Sequence, residues 1–420
     1  MGHLTGCTAA LALILSTQSA LAQTTVNWLH IEQNPDVVAY WEERAREFED
    51  KNPGVMIEMS YLENQAFKAK LTTMLQSEDR PDLFYSWGGG VFHAQADAGV
   101  LRDISDLMDD EWVATFNPAA IEAFQYDGAV YGAPMLTSQV VFWYNKELMD
   151  QAGVDPDSIE TWDDFLAAVQ QIKDAGITPL VAGGADKWPL HFYWTHLAIR
   201  LGGREAFEAA TSGEGEGFAG ETFVKAGELM QQLTELEPFQ DGYLAHTNEQ
   251  ASGMFGDGDA AMYFNGNWLY NIQRVWAEDG EGLADEQLGF FTFPMVEGGM
   301  GEPTDTLGGI NGWLVSKDAP DEAVAFLRFL LSPEHETEMA RRGFFIPVAK
   351  GADAEMTNPF FKEIAGNIGN SGYHQIFYDQ MLGPAVGLVV NDVSADLAAG
   401  NTTPQEAAQT VQEAWEFENF

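Results

Sequence analysis

The chain has 420 residues, of which 65 are acidic and 20 are basic, and its net charge is −45. Hydrophobic residues make up 45% of it, which is enough for a large core and excludes a wholly disordered acidic polypeptide. A charge of this sign also makes nucleic acid and anionic membrane surfaces poor partners. Because self-repulsion opposes folding unless ions screen it, the composition indicates life in a salty medium.

The first 22 residues read as an export signal. Residues 9–15 are apolar, and Ala20-Leu21-Ala22 matches the small-x-small rule for signal cleavage. We therefore expect cleavage after Ala22 and a periplasmic protein. Cys7 is the only cysteine and would leave with the signal, so the mature chain has no thiol chemistry.

The next segments alternate between helical and strand patterns. A helical period follows Pro35 and ends at Asn52-Pro53-Gly54, residues 55–61 alternate as a strand, and residues 67–75 are again helical. A short apolar strand, residues 83–86, then leads into Trp87 and three glycines, which predict a loop open to a ligand. This rhythm predicts an α/β fold with a mostly parallel sheet, whose ligands gather at the carboxyl ends of its strands.

Further elements follow the same logic. Residues 140–144 form a continuous apolar run typical of a buried strand, and residues 211–220 predict an exposed loop. Thr161 with Asp164 caps a helix that ends at Gly176, and Thr403 with Glu406 forms a capping box. Residues 319–342 predict a helix that is interrupted near Ser332-Pro333.

Catalytic and metal-binding motifs are not found in this sequence. The one Gly-x-Gly-x-x-Gly match, residues 215–220, follows a helical segment and carries glutamates that would repel a phosphate. We therefore predict no catalytic residue, no metal and no cofactor. Among 65 acids, however, some carboxylate pair can lie at a glycosidase distance, so hydrolysis stays an alternative.

Tryptophans in Gly-rich or polar surroundings are the distinctive feature. An indole offers a flat apolar platform for the C–H face of a sugar, and neighbouring amides and carboxylates can bond its hydroxyls. Other tryptophans, at helical spacing, read as core: Trp41, Trp162, Trp194 and Trp276. The four in loop-like contexts are Trp87, Trp188, Trp268 and Trp313.

Several segments are distinctive together, through their order and spacing along the chain. They are WEERAREFEDKNPG (41–54), PDLFYSWGGG (81–90), DGAVYGAP (127–134), YNK (144–146), TWDDF (161–165), FGDGDAAM (255–262), GNW (266–268), GGINGWLVS (308–316) and residues 323–333. Through these segments the chain resembles, over residues 25–416, family 1 of the extracellular solute-binding proteins, the maltose-binding-protein-like receptors of ABC importers. The SWGGG variant within residues 81–90 is similar to raffinose-type oligosaccharide receptors.

The resemblance implies a two-lobe periplasmic-binding-protein fold with discontinuous lobes. Residues 23–137 and 312–345 would form the N-terminal lobe, and residues 138–311 and 346–420 the C-terminal lobe. Three chain crossings are expected at residues 137–140, 307–312 and 344–347. The ligand would bind between the lobes, which close on it.

The resemblance also implies a function without chemistry: a monomeric receptor that captures a di- or oligosaccharide and delivers it to the permease subunits. The three glycines after Trp87 stand where maltose receptors carry polar residues, which argues against maltose itself. By family position and by loop context, the expected ligand-binding residues are His30, Glu32, Trp87, Gly89, Gln139, Trp188, Trp268, Asn311, Trp313, Tyr378 and Asp379.

Two other function classes stay open. A secreted carbohydrate-active enzyme would use a carboxylate pair, and formation of product from an oligosaccharide would reveal it. An iron-binding receptor would need clustered tyrosines, and no two tyrosines are adjacent in this chain.

Overall fold

A computed structural model describes residues 23–419, so the expected signal peptide and Cys7 lie outside the described residues. The strands are β1 Thr24–His30, β2 Val55–Tyr61, β3 Leu83–Ser86, β4 Gln125–Tyr126, β5 Ala129–Val130, β6 Gly132–Asn145, β7 Leu180–Val181, β8 Met262–Gly266, β9 Leu288–Phe291, β10 Thr306–Val315, β11 Ile346–Pro347 and β12 His374–Ile376. The helices are α1 Pro35–Lys51, α2 Asn64–Leu75, α3 Gly89–Asp97, α4 Asp110–Val113, α5 Pro118–Glu122, α6 Lys146–Ala152, α7 Trp162–Asp174, α8 Trp188–Thr211, α9 Glu221–Glu235, α10 Asn248–Gly256, α11 Leu269–Trp276, α12 Asp321–Leu330, α13 Pro333–Arg341, α14 Pro359–Asn370, α15 Tyr378–Met381, α16 Gly383–Ala399 and α17 Pro404–Asn419.

Local capping explains where the predicted helices begin and end. The Asn34 side chain accepts a hydrogen bond from the amide of Asp36 at the start of α1, and the helix ends before Asn52, as expected. Thr161 and Asp164 form a reciprocal capping box at the start of α7. None of the helices in residues 23–419 combines the length and the apolar character that a membrane crossing requires.

The main sheet is mixed, which corrects the prediction of a mostly parallel one. Its strands follow the order β2-β1-β3-β10-β6-β8-β7, with β9 and β11 paired to β6 and β12 paired to β10. The pairs β1–β2, β1–β3, β7–β8 and β10–β12 are parallel, as the strand–helix–strand rhythm indicated. The long central strands β6 and β10 run antiparallel to each other and to most of their neighbours.

The three expected chain crossings lie side by side in this sheet. Residue 137 in β6 pairs with Ile310 of β10 on one side and with Ile346 of β11 on the other. The first part of β6 pairs with β10, and its last part pairs with β8 and β9. Both long strands therefore pass from one half of the molecule into the other.

Two large hydrophobic clusters form the cores of the two lobes. One is built from residues 26–136 and 313–348, and its centre is a group of rings in which Trp28 lies 5.2 Å from Trp41 and 5.0 Å from Trp313. The other is built from residues 140–307 and 377–411. A third, smaller cluster surrounds Trp143.

Two glycine-rich stretches expected to be ligand loops have other structures. Gly89 and Gly90 begin α3, and a Cβ added at Gly90 would lie 2.5 Å from the carbonyl oxygen of Met381. Residues 308–312 belong to β10, and a Cβ at Gly308 would lie 1.8 Å from the carbonyl oxygen of Ser138. In both stretches the missing side chain allows two backbones to approach each other, rather than a backbone to approach a ligand.

Candidate functional site

A cleft between the two large cores encloses about 1180 Å³ of space, part of it open to solvent. Its floor includes Ser138 of β6 and Asn311 of β10, and Asn311 lies where the β6–β10 register shifts. The N-terminal-lobe wall is formed by Ile31, Glu32, Gln33, Asn34, Asn64, Lys68, Tyr85 and Trp87. The opposite wall includes Trp188, Phe192, Asn248, Glu249, Asn267, Trp268, Phe377 and Asp379.

Four aromatic rings form a continuous face on the C-terminal-lobe wall. The centroid of the Trp268 ring lies 6.2 Å from that of Trp188, 6.4 Å from that of Phe192 and 6.1 Å from that of Phe377. Trp268 is positioned by the end of β8, where the absence of a side chain at Gly266 leaves room for the indole. The half-buried ring thus offers its remaining surface to the cleft.

The opposite wall presents Trp87 at the end of β3. Its ring is held edge-on by Tyr85 and Phe67, at centroid distances of 5.1 Å and 5.8 Å. The Lys68 ammonium lies 5.0 Å from the Trp87 ring centroid and 3.1 Å from a carboxylate oxygen of Asp379 on the other wall. Trp87 and Trp268 therefore line one groove from opposite sides.

Several polar groups in the cleft are buried and have no partner among the described residues. The Asn311 side-chain amide donates to the Tyr85 hydroxyl at 2.8 Å, but its Oδ1 accepts no hydrogen bond. The indole nitrogen of Trp188 and Oδ1 of Asn64 are likewise buried and unpaired. Because an unsatisfied buried polar atom costs about 1–3 kcal/mol, these atoms favour a polar ligand in the cleft.

Glu32 adds a carboxylate to the N-terminal-lobe wall. One of its oxygens accepts from the backbone amides of Gln33 and Asn34, at 3.0 Å and 2.8 Å. Burial raises the pKa of Glu32, and these two amide bonds oppose the rise only in part.

Direct bonds join the two walls across the cleft. Gln33 donates from Nε2 to a carboxylate oxygen of Glu249 at 3.0 Å, and its Oε1 accepts from the Trp276 indole at 2.7 Å. Gln65 donates to the Asp186 carbonyl at 2.9 Å. Together with the Lys68–Asp379 ion pair, these contacts hold the lobes in a closed arrangement.

The structure brings six of the expected ligand-binding residues into this cleft. Glu32, Trp87, Trp188, Trp268, Asn311 and Asp379 all line it. Their contact with a ligand stays a prediction.

The other expected residues do not line the cleft. His30 is 3% exposed and accepts the Glu32 backbone amide through Nδ1, so it supports the wall from behind. Trp313 is fully buried among the rings of the N-terminal-lobe core, because residues 308–312 are a strand rather than a loop. Tyr378 is 1% exposed and stacks on Phe207 at 4.9 Å.

Two more expected residues, Gly89 and Gln139, pack beside the cleft without lining it. Gly89 packs against the backbone of Gln380 at the start of α3. Gln139 is 2% exposed, and its backbone amide donates to the Asn267 side chain at 3.0 Å. Both therefore occupy packing positions outside the cleft lining, and their contact with a ligand stays a prediction.

Sequence reasoning missed several cleft residues. Asn248 and Glu249 lie in the first turn of α10. Thr247 and Gln250 form a capping box at the start of this helix, and that pattern could have been recognised in the sequence. Lys68 and Asn271 lie on helices and gave no signal of their own. Trp276 was expected in the core, but it is 47% exposed, and its indole donates to Gln33, a residue of the opposite cleft wall. Trp41, Trp162 and Trp194 are buried as predicted.

The chain is similar in sequence to known binding proteins over most of its length. The model of a family described as bacterial extracellular solute-binding protein matches residues 33–337. An ABC transporter extracellular-binding protein of Pyrococcus horikoshii is 23% identical over 377 residues, which are 87% of this chain and 82% of the relative. The diacetylchitobiose-binding protein of Streptomyces coelicolor is 24% identical over 361 residues, with 83% and 79% covered.

A solved structure shares the fold over most of its length. It comes from work on xylan utilization by Caldanaerobius polysaccharolyticus and is 26% identical to this chain. The TM-score is 0.85, and the match covers 93% of this chain and 99% of that one.

Proposed function

Because the chain belongs to the family of bacterial extracellular solute-binding proteins, we propose that its cleft captures a neutral di- or oligosaccharide for an ABC importer. The resemblance noted from the sequence is thereby confirmed. The alternative of a secreted carbohydrate-active enzyme gains no support, since the family and both relatives are binding proteins.

The observation that carries the proposal is the pairing of indole faces with unsatisfied polar atoms. A sugar ring has an apolar C–H face that stacks on tryptophan and a rim of hydroxyl groups that donate and accept hydrogen bonds. Trp87 and Trp268 supply the platforms on opposite walls. Asn311 Oδ1 has no hydrogen-bond donor, and Trp188 Nε1 has no acceptor, among the described residues. A hydroxyl can serve both needs.

The charge of the cleft favours a neutral ligand. Among the described residues, Lys68 is the one basic side chain that lines it, and Asp379 already pairs with Lys68. Glu32 and Glu249 are carboxylates on the same surface. A uronic acid would bring a further negative charge without a free cation to meet it, and binding it would cost desolvation energy.

The test is a thermal-shift screen of the intact protein, since a ligand that binds the native state raises the melting temperature. The panel contains diacetylchitobiose, xylotriose, raffinose and digalacturonate. We expect a saturable rise with at least one neutral sugar and none with digalacturonate. No rise with a broad set of neutral di- and trisaccharides would contradict the proposal, as would release of product from any of them.

A matched pair of variants tests the role of the unpaired atoms. Trp188→Phe removes the indole N–H and keeps an aromatic ring, and we expect about a tenfold loss of affinity. Trp162→Phe is the control, because Trp162 Nε1 is also buried and unpaired but lies in the lobe core. If the two changes altered affinity equally, the assignment of Trp188 as a ligand-binding residue would be wrong.

Further parts of the proposal concern the cellular setting. The family is one of exported proteins, and we propose cleavage after Ala22, a monomeric state and delivery to permease subunits. We also propose lobe boundaries at residues 137/138, 311/312 and 345/346. The adjacency of the three crossings in the sheet supports these boundaries.

A further inference from the structure

A second pocket lies behind the wall of the cleft, between α11 and the chain that follows α13. It encloses about 620 Å³, part of it open to solvent. We name it the rear pocket and define it by Tyr270, Asn271, Arg274, Asp285, Arg342, Gly343, Thr357, Asn358 and Pro359. Asn271 also lines the cleft, so the two spaces share one lining residue.

Asn358 presents a buried donor in the rear pocket. Its side-chain oxygen caps α14 and accepts from the amides of Phe360 and Phe361 at 2.9 Å and 3.2 Å. Because the cap requires the oxygen on that side, the orientation of the amide is fixed and Nδ2 must point elsewhere. Asn358 is 6% exposed, and its Nδ2 has no partner among the described residues.

Arg342 adds a guanidinium with spare donors. Its Nε donates to Glu338 at 2.8 Å, and the planar group lies 4.9 Å from the Tyr40 ring centroid. No hydrogen bond joins its terminal nitrogens to another described residue, so they stay free for a ligand.

The charges of the rear pocket balance locally. Arg274 pairs with Asp285 at 2.8 Å, and Arg342 pairs through Nε with Glu338 at 2.8 Å. In a chain with a net charge of −45, a pocket whose charges balance is a less repulsive place for an anion than the surrounding acidic surface.

We propose that the rear pocket binds a small oxyanion, such as phosphate or a carboxylate, through Asn358 Nδ2 and the terminal nitrogens of Arg342. An oxyanion offers several acceptors and no required donor, which matches the two free donor groups, Asn358 Nδ2 and the terminal nitrogens of Arg342. This site is separate from the sugar cleft and does not depend on which sugar the cleft takes. Chloride is the comparison ion, because it lacks the geometry for a forked contact with a guanidinium.

The test measures the melting temperature of the intact protein, without sugar, as sodium phosphate or sodium acetate replaces sodium chloride at constant ionic strength. Constant ionic strength removes the screening effect that such an acidic protein shows. We expect a rise that saturates at millimolar anion, because binding to the native state stabilises it. General exclusion of phosphate from the protein surface would instead give a rise without saturation.

Two variants and two controls decide the outcome. Asn358→Asp keeps a good helix cap but replaces the donor with a negative charge, and Arg342→Gln removes the guanidinium. Each should raise the half-saturating concentration about tenfold or more. Asn401→Asp and Arg46→Gln change charge by the same amounts at exposed positions and should leave it unchanged. A wild-type protein without a saturable rise, or equal curves in all five proteins, would overturn the proposal.

Discussion

Gly266→Ala tests whether the position of the Trp268 ring determines sugar binding. A Cβ built at Gly266 would lie 2.0 Å from a ring atom of Trp268, so the indole must retreat by about 1.4 Å to reach an ordinary contact of 3.4 Å. The backbone at Gly266 is outside the left-handed region and accepts alanine without strain. The change therefore moves a platform without altering its chemistry.

The size of the effect follows from the stacking that is lost. Displacing the ring uncovers roughly 60 Å² of apolar contact, about 1.5 kcal/mol at 25 cal/mol per Å², and weakens a stacking term of about 0.5–1.5 kcal/mol. We expect a loss of about 2 kcal/mol, which is about thirtyfold in Kd. Isothermal titration calorimetry with the sugar that stabilises the wild type most in the thermal-shift screen measures it.

The control for this change is Gly366→Ala. Gly366 lies in α14, and a Cβ there meets no atom within 4 Å, so affinity should stay at the wild-type value. Helix propensity predicts that this control is slightly more stable than the wild type. A folded Gly266→Ala protein that binds with wild-type Kd would refute the assignment of Trp268 as a platform.

Three other changes have expected outcomes. Gln33→Ala removes both cross-cleft bonds of that side chain, so the sugar-free protein should show a larger radius in small-angle scattering; an unchanged radius would contradict this. Burial lowers the pKa of His374 to about 4, so as pH falls below about 6.5 this histidine takes up a proton in the unfolded chain before it does so in the folded one. The contribution of His374 to the free energy of unfolding should therefore fall by about 2 kcal/mol between pH 7 and pH 5. In urea titrations, the His374→Gln protein should lose this part of the pH dependence; an unchanged pH dependence would contradict it. The melting temperature without sugar should rise between about 0.01 M and 1 M sodium chloride, where the Debye length falls from about 30 Å to 3 Å; a flat or falling curve would leave the acidic composition without this explanation.

Local signals in the sequence predicted the elements that local interactions determine. The Asn34-Pro35 start of α1 and the Thr161–Asp164 box depend on residues within one helical turn, and both were readable. Three indoles of the cleft were also readable, since Trp87, Trp188 and Trp268 each lie next to the end of a strand or the start of a helix.

What escaped prediction depends on residues far apart in the chain. The glycines of residues 308–312 looked like a loop, but they allow β10 to approach β6, which is about 170 residues earlier. Trp276 has the spacing of a core residue, yet its partner Gln33 is 243 residues away, across the cleft. The Lys68–Asp379 pair spans 311 residues. Contacts of this kind follow from topology, which a helical or alternating pattern does not encode.

The position of β10 in the sheet has a consequence for how the chain is made. In the strand order β10 lies between β3 and β6, so the first lobe lacks a central strand until residue 315 has left the ribosome. Until then Trp28 and Trp41 have no Trp313 to pack against, although both are synthesised more than 270 residues earlier. N-terminal domains usually fold while the rest of the chain is being translated. The N-terminal lobe of this protein cannot do so, because its central strand is made late. Neither lobe is therefore a unit of synthesis: β10 joins β3 to β6 only after residue 315 has been made, and the main sheet is complete only after β12, His374–Ile376.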